Sequence, residues 1–260
     1  MNATHCALVT GATQGIGLAI ATRLAEAGHD VVLHGIEPLP EGQAVAQALA
    51  QRTGRQTAYV QADLRDPQAA SDLFTQATKA LRTPDILVNN AGIQYTCPVE
   101  DFPNERWDAI LAVNLSAAFM TMRSAVPAMR AQGWGRIVNI ASVHGLVASV
   151  NKTAYLAAKH GLVGMSKGVA LETATDGITV NCICPGWTDT PIIAPQIEAR
   201  ALALGGDREA GIRELLREKQ PNQTLLPPGR IGDVAVFLCS DAAAGITGVA
   251  LPVDGGWTAQ

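Results

Sequence analysis

Short runs of apolar residues recur along the whole chain, at Cys6–Thr10, Val31–His34, Thr57–Gln61, Ile86–Asn89, Arg136–Ile140, Ile178–Ile183 and Ala250–Val253. Between them lie longer stretches whose apolar positions return every three or four residues, among them Ile16–Ala27, Pro67–Leu81, Trp107–Met129 and Tyr155–Thr173. The first pattern belongs to strands and the second to amphipathic helices. Strands that are apolar nearly throughout and alternate with helices predict a parallel sheet covered on both faces, an α/β fold with a doubly wound sheet of seven strands. There is no repeat, low-complexity tract or linker, so residues 1–260 read as a single domain. One segment breaks the rhythm. Residues 186–232 hold helix-like pieces around Gln196–Leu204 and Glu209–Lys219 where a short connection would suffice, and a connection that long is expected to be a lid over a site.

Composition narrows the function classes. The 260 residues are 48% hydrophobic and 16% charged, which suits a folded domain. A net charge of −4 with scattered basic residues argues against nucleic acid or an anionic membrane as partner. The chain enters its first strand within a few residues, leaving no room for a leader, and no apolar run approaches the roughly 20 residues of a membrane span. A soluble, cytoplasmic protein is expected. The five cysteines, Cys6, Cys97, Cys182, Cys184 and Cys239, follow no zinc-ligand spacing, and four of them lie in apolar segments. They read as buried small hydrophobes in a reducing compartment, and no metal site is expected.

The first strand runs directly into Thr10-Gly11-Ala12-Thr13-Gln14-Gly15-Ile16-Gly17, which opens the first helix. Gly11, Gly15 and Gly17 permit a tight turn and let a pyrophosphate approach the backbone, where free N–H groups and the helix dipole hold it. On strand one of such a sheet this is the dinucleotide-binding turn of a Rossmann-type domain, with Thr13, Gln14 and Ile16 in the cofactor contact. A 2′-phosphate on the adenosine ribose would need a cation near the end of strand two. Those positions read His34-Gly35-Ile36-Glu37, and the loop holds neutral Gln14; no Arg or Lys is expected nearby. NAD is therefore expected rather than NADP, although Glu37 falls past the strand end where a ribose-binding acid belongs. Asp63 and Leu64, ending strand three, are placed to meet the adenine edge; capping is an equally good reading of Asp63.

Ser142 ends strand five, and Tyr155-Leu156-Ala157-Ala158-Lys159 follows on a helix. Tyr155 and Lys159, four residues apart, share one helix face. An ammonium beside a phenol favours the phenolate, and a serine hydroxyl opposite could hold a substrate oxygen while the tyrosine takes its proton.

With these motifs the chain resembles the short-chain dehydrogenase/reductase family over its full length. It carries the T-G-x-x-x-G-x-G loop, Asn89-Asn90-Ala91-Gly92 after strand four, Asn114 in the next helix, Ser142, Tyr155-x-x-x-Lys159, and Pro185-Gly186 after strand six. The resemblance implies Tyr155 as general base, Lys159 binding the nicotinamide ribose and lowering the tyrosine pKa, Ser142 orienting the hydroxyl, and Asn114 holding a relay water. It adds Asn90, Ala91, Gly92, Pro185, Gly186 and Thr188 to the cofactor contacts, with Asn90 at the cofactor ribose region and Thr188 at the carboxamide. It also implies a homotetramer, with the helices after strands four and five at the interfaces.

The positions that would choose a substrate are Gln94, His144, Lys152, Trp187, Gln196 and Trp257, beyond the strand ends or in the lid. Lys152 supplies one cation, His144 a possible second, and the glutamines two amides beside an alcohol-oxidising centre. That set suits a small carboxylate. Asp85–Gln94, Gly133–Gly145, Leu146–Lys152, Glu218–Pro221 and Asp254–Trp257 resemble the branch of the family that oxidises D-3-hydroxybutyrate. By that resemblance Gln94, His144, Lys152 and Gln196 bind the carboxylate, and Trp187 and Trp257 wall the methyl end. Tyr95, Cys97 and Ile36-Glu37-Pro38 depart from the branch pattern. Another short-chain reductase, acting on a 3-oxoacyl thioester or a sugar acid, and a non-catalytic NAD-binding sensor are the readings left beside it.

Overall fold

The computed structural model describes residues 4–259. Seven strands, β1 (Cys6–Val9), β2 (Asp30–Gly35), β3 (Thr57–Gln61), β4 (Ile86–Asn89), β5 (Gly135–Ile140), β6 (Ile178–Pro185) and β7 (Ala250–Val253), form one sheet in the order β3-β2-β1-β4-β5-β6-β7. Every pairing is parallel, with Val9 beside Leu33 on one side and Val88 on the other. The strand order reverses direction between β1 and β4, and the crevice beyond their carboxyl ends is where such sheets take ligands. Every residue of β1, β2, β4, β5 and β6 is buried, as the continuous apolar runs require.

One face is covered by α1 (Gly15–Glu26), α2 (Leu39–Thr53) and α9 (Pro228–Cys239), whose Ile20, Leu24, Leu49, Ile231 and Leu238 pack with Val9, Leu33 and Val88. The other face is covered by α3 (Pro67–Ala80), α5 (Ala117–Gln132) and α6 (Thr153–Glu172), through residues such as Leu73, Met122, Met129 and Ala170. The helix expected at Trp107–Met129 is longer than its hydrophobic pattern indicates. α4 (Asn104–Leu111) runs into a π turn at Ala112–Ser116 and then into α5 without a break. This corrects the reading that no span-length apolar helix exists: Asn104–Gln132 is long and apolar enough to cross a bilayer by length and composition, with a mean hydropathy of 1.4. In the fold it packs on α3, α6, β4 and β5.

The 186–232 segment folds as α7 (Ala194–Ala203) and α8 (Arg208–Lys219), close to the expected positions. The two helices are joined by a bidentate Arg200–Glu218 pair at 3.0 and 2.7 Å. Ile193, Ile197, Leu215 and Leu216 meet Val143, Trp187 and Trp257 in a small core of their own. The segment therefore roofs the carboxyl ends of β5 and β6 as one packed unit.

Candidate active site

A cavity of about 660 Å³ runs from the glycine loop to Tyr155, Lys159 and Trp257. Its first wall is the turn after β1. Gly11 (φ 61°) and Gly15 (φ 56°) adopt the left-handed conformation that a Cβ penalises. Gly17 answers a different need, because a Cβ there would run into the Gly11 carbonyl and the Asn90 side chain. No side chain caps α1 and no acid occupies its first turn, so its N-terminal N–H groups and positive dipole end are left for an anion.

The loop is stitched from two sides. Asn90 Nδ2 donates to the Thr10 and Gly11 carbonyls at 2.9 and 3.0 Å, while Thr10 Oγ1 accepts from the N–H groups of Asn90 and Ala91. The Asn90 amide nitrogen thus holds the loop, while the residue also lines the cavity beside it. On the other side His34 Nδ1 accepts from Gly11 N–H at 3.2 Å and Nε2–H donates to the Ala62 carbonyl at 3.1 Å. Burial pushes this imidazole down to about 4, so it is neutral.

Two residues at the adenosine end differ from expectation. Glu37, past the end of β2, folds back over Gly35, where a Cβ would obstruct it. Its Oε1 accepts from Thr13 Oγ1 at 2.8 Å, and its Oε2 is buried with no partner. A cation does lie nearby: Arg65 lines the same cavity and donates from Nε and Nη2 to the Asp63 carboxylate at 3.0 and 2.6 Å. Arg65 holds Asp63 below the usual carboxylate range, and this pairing favours a local role for Asp63 over an adenine contact. Leu64, Thr13, Gln14, Ile16, Ala91, Gly92, Pro185, Gly186 and Thr188 all line the cavity.

The expected catalytic set converges where β5 ends. Ser142 Oγ accepts from His144 N–H at 3.1 Å. Tyr155 stands in the first turn of α6, and Lys159 Nζ lies 5.5 Å from its ring centroid. Lys159 Nζ donates to the Ile140 carbonyl at 2.8 Å. Burial pushes Tyr155 up to about 12, a shift that the adjacent Ser142 hydroxyl opposes, and pushes Lys159 down to about 8. Burial therefore outweighs the phenolate-favouring effect expected of the lysine. Asn114, in the π turn, exchanges two 2.8 Å hydrogen bonds with the backbone of Ile93. A separate cavity of about 10 Å³, the room one water needs, is bounded by Asn114, Lys159 and Ile140.

The substrate end is built around Lys152, which is only 5% exposed. Its Nζ donates to Gln196 Oε1 at 3.1 Å and lies 5.0 Å from the Trp187 ring centroid. Among the described residues no carboxylate pairs with it. Burial, helped by Arg200, pushes its pKa down to about 8. Gln196 Nε2 and Trp187 Nε1 are buried without acceptors. Gln196 holds Lys152 but is not itself on the cavity wall, whereas Gln94 is on the wall and makes no side-chain hydrogen bond. His144 is not a second cation: burial pushes it down to about 3, and its ring nitrogens face Ser142 Oγ at 3.3 Å and Ser149 Oγ at 3.0 Å. Trp187 and Trp257 pack at 5.2 Å, and Trp257 meets His144 edge-on at 5.5 Å. Trp187 is therefore both an apolar wall and an unused N–H donor.

Comparison with known proteins finds relatives over the whole chain. A family model described as enoyl-(acyl carrier protein) reductase matches residues 11–258. The chain is 49% identical to the D-beta-hydroxybutyrate dehydrogenase of Cupriavidus necator, over 98% of both chains. It is 46% identical to the enzyme of the same name from Rhizobium meliloti, over 99% of this chain and 100% of that one. Among solved structures, L-sorbose reductase from Gluconobacter frateurii, complexed with NADPH and L-sorbose, superposes with a TM-score of 0.93 at 30% identity, covering 99% of this chain and 98% of that one. Built on a seven-stranded parallel sheet with a nicotinamide-dinucleotide crevice, the chain is an oxidoreductase that belongs to the short-chain dehydrogenase/reductase family.

Proposed function

We propose that the chain catalyses the reversible oxidation of (R)-3-hydroxybutyrate to acetoacetate with NAD. The observation that carries the substrate is the buried Lys152 ammonium, with a neutral amide as its only hydrogen-bond partner among the described residues and an unused Trp187 N–H beside it. A buried charge left without a counter-ion is costly, and a buried N–H without an acceptor costs about 1–3 kcal/mol. A substrate carboxylate relieves both, and Gln94 and the neutral His144 face the same space. The identity to two enzymes named for hydroxybutyrate supports the same reading.

The residues present fit a dinucleotide: an uncapped α1 N-terminus for the pyrophosphate, Lys159 for the nicotinamide ribose and Thr188 for the carboxamide. When bound, the nicotinamide supplies the hydride acceptor. Glu37 favours NAD, because its inward carboxylate repels a 2′-phosphate and its unpartnered Oε2 suits a ribose hydroxyl. Arg65, the nearby cation, is paired through Nε and Nη2 with Asp63, which partly offsets its charge.

In the oxidation, Ser142 holds the C3 hydroxyl and Tyr155 takes its proton. Burial keeps the Tyr155 phenol protonated in the unliganded site, and the Lys159 ammonium, 5.5 Å from its ring centroid, is the nearby charge that favours the phenolate as the proton is taken. Lys159, with a water held in the water-sized space beside Asn114, passes the proton away from the site. In the reduction the protonated phenol is already the competent acid. We assign the assembly as a cytoplasmic homotetramer that buries the exposed Phe119 of α5 and Leu171 of α6. NADH formation with both enantiomers of 3-hydroxybutyrate and with the uncharged methyl ester tests the proposal. Turnover confined to the (R)-acid is expected, and equal use of the ester overturns the anion reading.

A further inference from the structure

A single residue separates an almost fully exposed hydrophobic side chain from the buried cation at the substrate end. Val150 is 84% exposed and Lys152 is 5% exposed. The residue between them, Asn151, has φ 63° and is one of two non-glycine residues with positive φ among the described residues. Its side chain is exposed and makes no hydrogen bond, so nothing on the side chain explains an asparagine there. The backbone does. Asparagine tolerates the left-handed conformation far better than other residues with a Cβ, and β-branched residues scarcely enter it. The left-handed residue turns the chain just ahead of the α6 N-cap, Lys152, whose side chain reaches inward to Gln196 and Trp187 where the helix begins at Thr153.

The same residue makes one longer connection. The Asn151 carbonyl accepts from Cys97 N–H at 2.9 Å. Cys97 lies in the loop after β4 that carries Gln94 and Tyr95, so this backbone bond joins two segments that line the same cavity through Gln94, Tyr95 and Lys152. Both effects depend on the peptide orientation at one position.

We propose that Asn151 is a positioning residue for substrate recognition: its left-handed backbone aims Lys152 into the cavity and ties that turn to the loop bearing Gln94. This rests on the anion reading of the site, and it locates the substrate discrimination in a backbone conformation rather than in a further contact. The test uses three variants of the full enzyme, each assayed with (R)-3-hydroxybutyrate and with its methyl ester. Asn151→Gly, which adopts the same backbone freely, should match the wild type on both substrates. Asn151→Val should raise KM for the acid by roughly five- to tenfold, as expected from a left-handed penalty on a β-branched residue, with little change in ester turnover. Asn151→Ala, a milder intrusion on the same backbone, should lie between them and keeps the comparison if the valine variant is unstable. Wild-type discrimination that survives in Asn151→Val and Asn151→Ala overturns this proposal alone. Loss of activity in Asn151→Gly as severe as in Asn151→Val also overturns it, because the side chain would then matter. A wild-type enzyme that uses the ester as well as the acid removes the anion reading, and this proposal with it.

Discussion

Lys152 Nζ and Gln196 Oε1, 3.1 Å apart, join the N-cap of the catalytic helix to the first turn of the lid. One hydrogen bond therefore links the lysine proposed to bind the substrate carboxylate to the lid helix α7. Binding energy spent on the carboxylate, remote from C3, places the reacting carbon as well as holding the molecule.

Lys152→Ala should lower kcat/KM for 3-hydroxybutyrate by at least about tenfold, given roughly 1.5–3 kcal/mol for a hydrogen bond to an ionised group. The methyl ester should be much less affected. Gln196→Ala should act in the same direction but more weakly, since Gln196 reaches the cavity only through Lys152. Steady-state kinetics on both substrates check this, and parallel losses on acid and ester would contradict the clamp.

The acid-to-ester ratio should also depend on pH. The Lys152 ammonium is the anion-binding form, and its pKa is pushed down to about 8 by burial. As pH rises through about 8 the free enzyme loses that charge, so kcat/KM for the acid should fall faster than for the ester. Taking the ratio cancels the Lys159 and Tyr155 titrations that both substrates share. A ratio constant from pH 7 to 9.5 would show that Lys152 does not bind the substrate as a cation.

Tyr155→Phe should leave NADH binding nearly intact and reduce turnover by at least about 10²-fold, because the ring remains and the proton acceptor is gone. NADH fluorescence titration alongside kcat separates the two effects. Retention of most activity would send the proton elsewhere.

NAD should be preferred over NADP by at least about tenfold in kcat/KM, roughly 1.4 kcal/mol. Glu37→Ala should narrow that ratio by removing the inward carboxylate. Its effect on NADP should exceed its effect on NAD. A ratio unmoved by the substitution would mean that Glu37 does not govern the choice.

Stability should decline on mild acidification. His34 and His144 are pushed by burial from an ordinary 6.5 down to about 4 and about 3, and His29 shifts the same way. The unfolded chain therefore binds more protons below 6.5, so the contribution is full above that pH and is lost as pH falls toward 4. Thermal unfolding should show Tm dropping between pH 6.5 and 5, above the range of ordinary carboxylates. His34→Asn should flatten part of that slope. A flat wild-type Tm over this window would contradict the neutral, buried state of these imidazoles.

The sheet, the glycine loop and the Tyr155–Lys159 pair are legible in the sequence because each depends on a short, fixed period: two along a strand, four along a helix, or a glycine turn between them. What escapes depends on how side chains fold back. Glu37 lies past the strand end and turns inward only because Gly35 leaves space; that glycine beside an acid was the available signal. Asp63-Leu64-Arg65 likewise spells a local ion pair, which neither an adenine contact nor capping by Asp63 takes into account. His144 is a possible cation by residue type and a neutral group once buried, and burial at a strand end is a tertiary property. The free Trp187 N–H has no sequence signature at all, since it reflects what the surroundings lack.

The π turn at Ala112–Ser116 places one surplus residue in an otherwise regular helix. A residue of α-helix advances about 100° around the axis, so everything after the surplus is rotated by about that angle relative to everything before it. The two halves consequently point their apolar stripes in different directions: α4 toward α6, and α5 toward α3 and the sheet. A single rod thus serves two walls that no straight amphipathic helix could face at once, and Asn114 sits at the point of changeover. Removing one residue there would leave helix content almost unaltered while setting one stripe out of phase with its wall. The harm of such a deletion would appear as misalignment across the whole molecule rather than as the loss of any contact near Asn114.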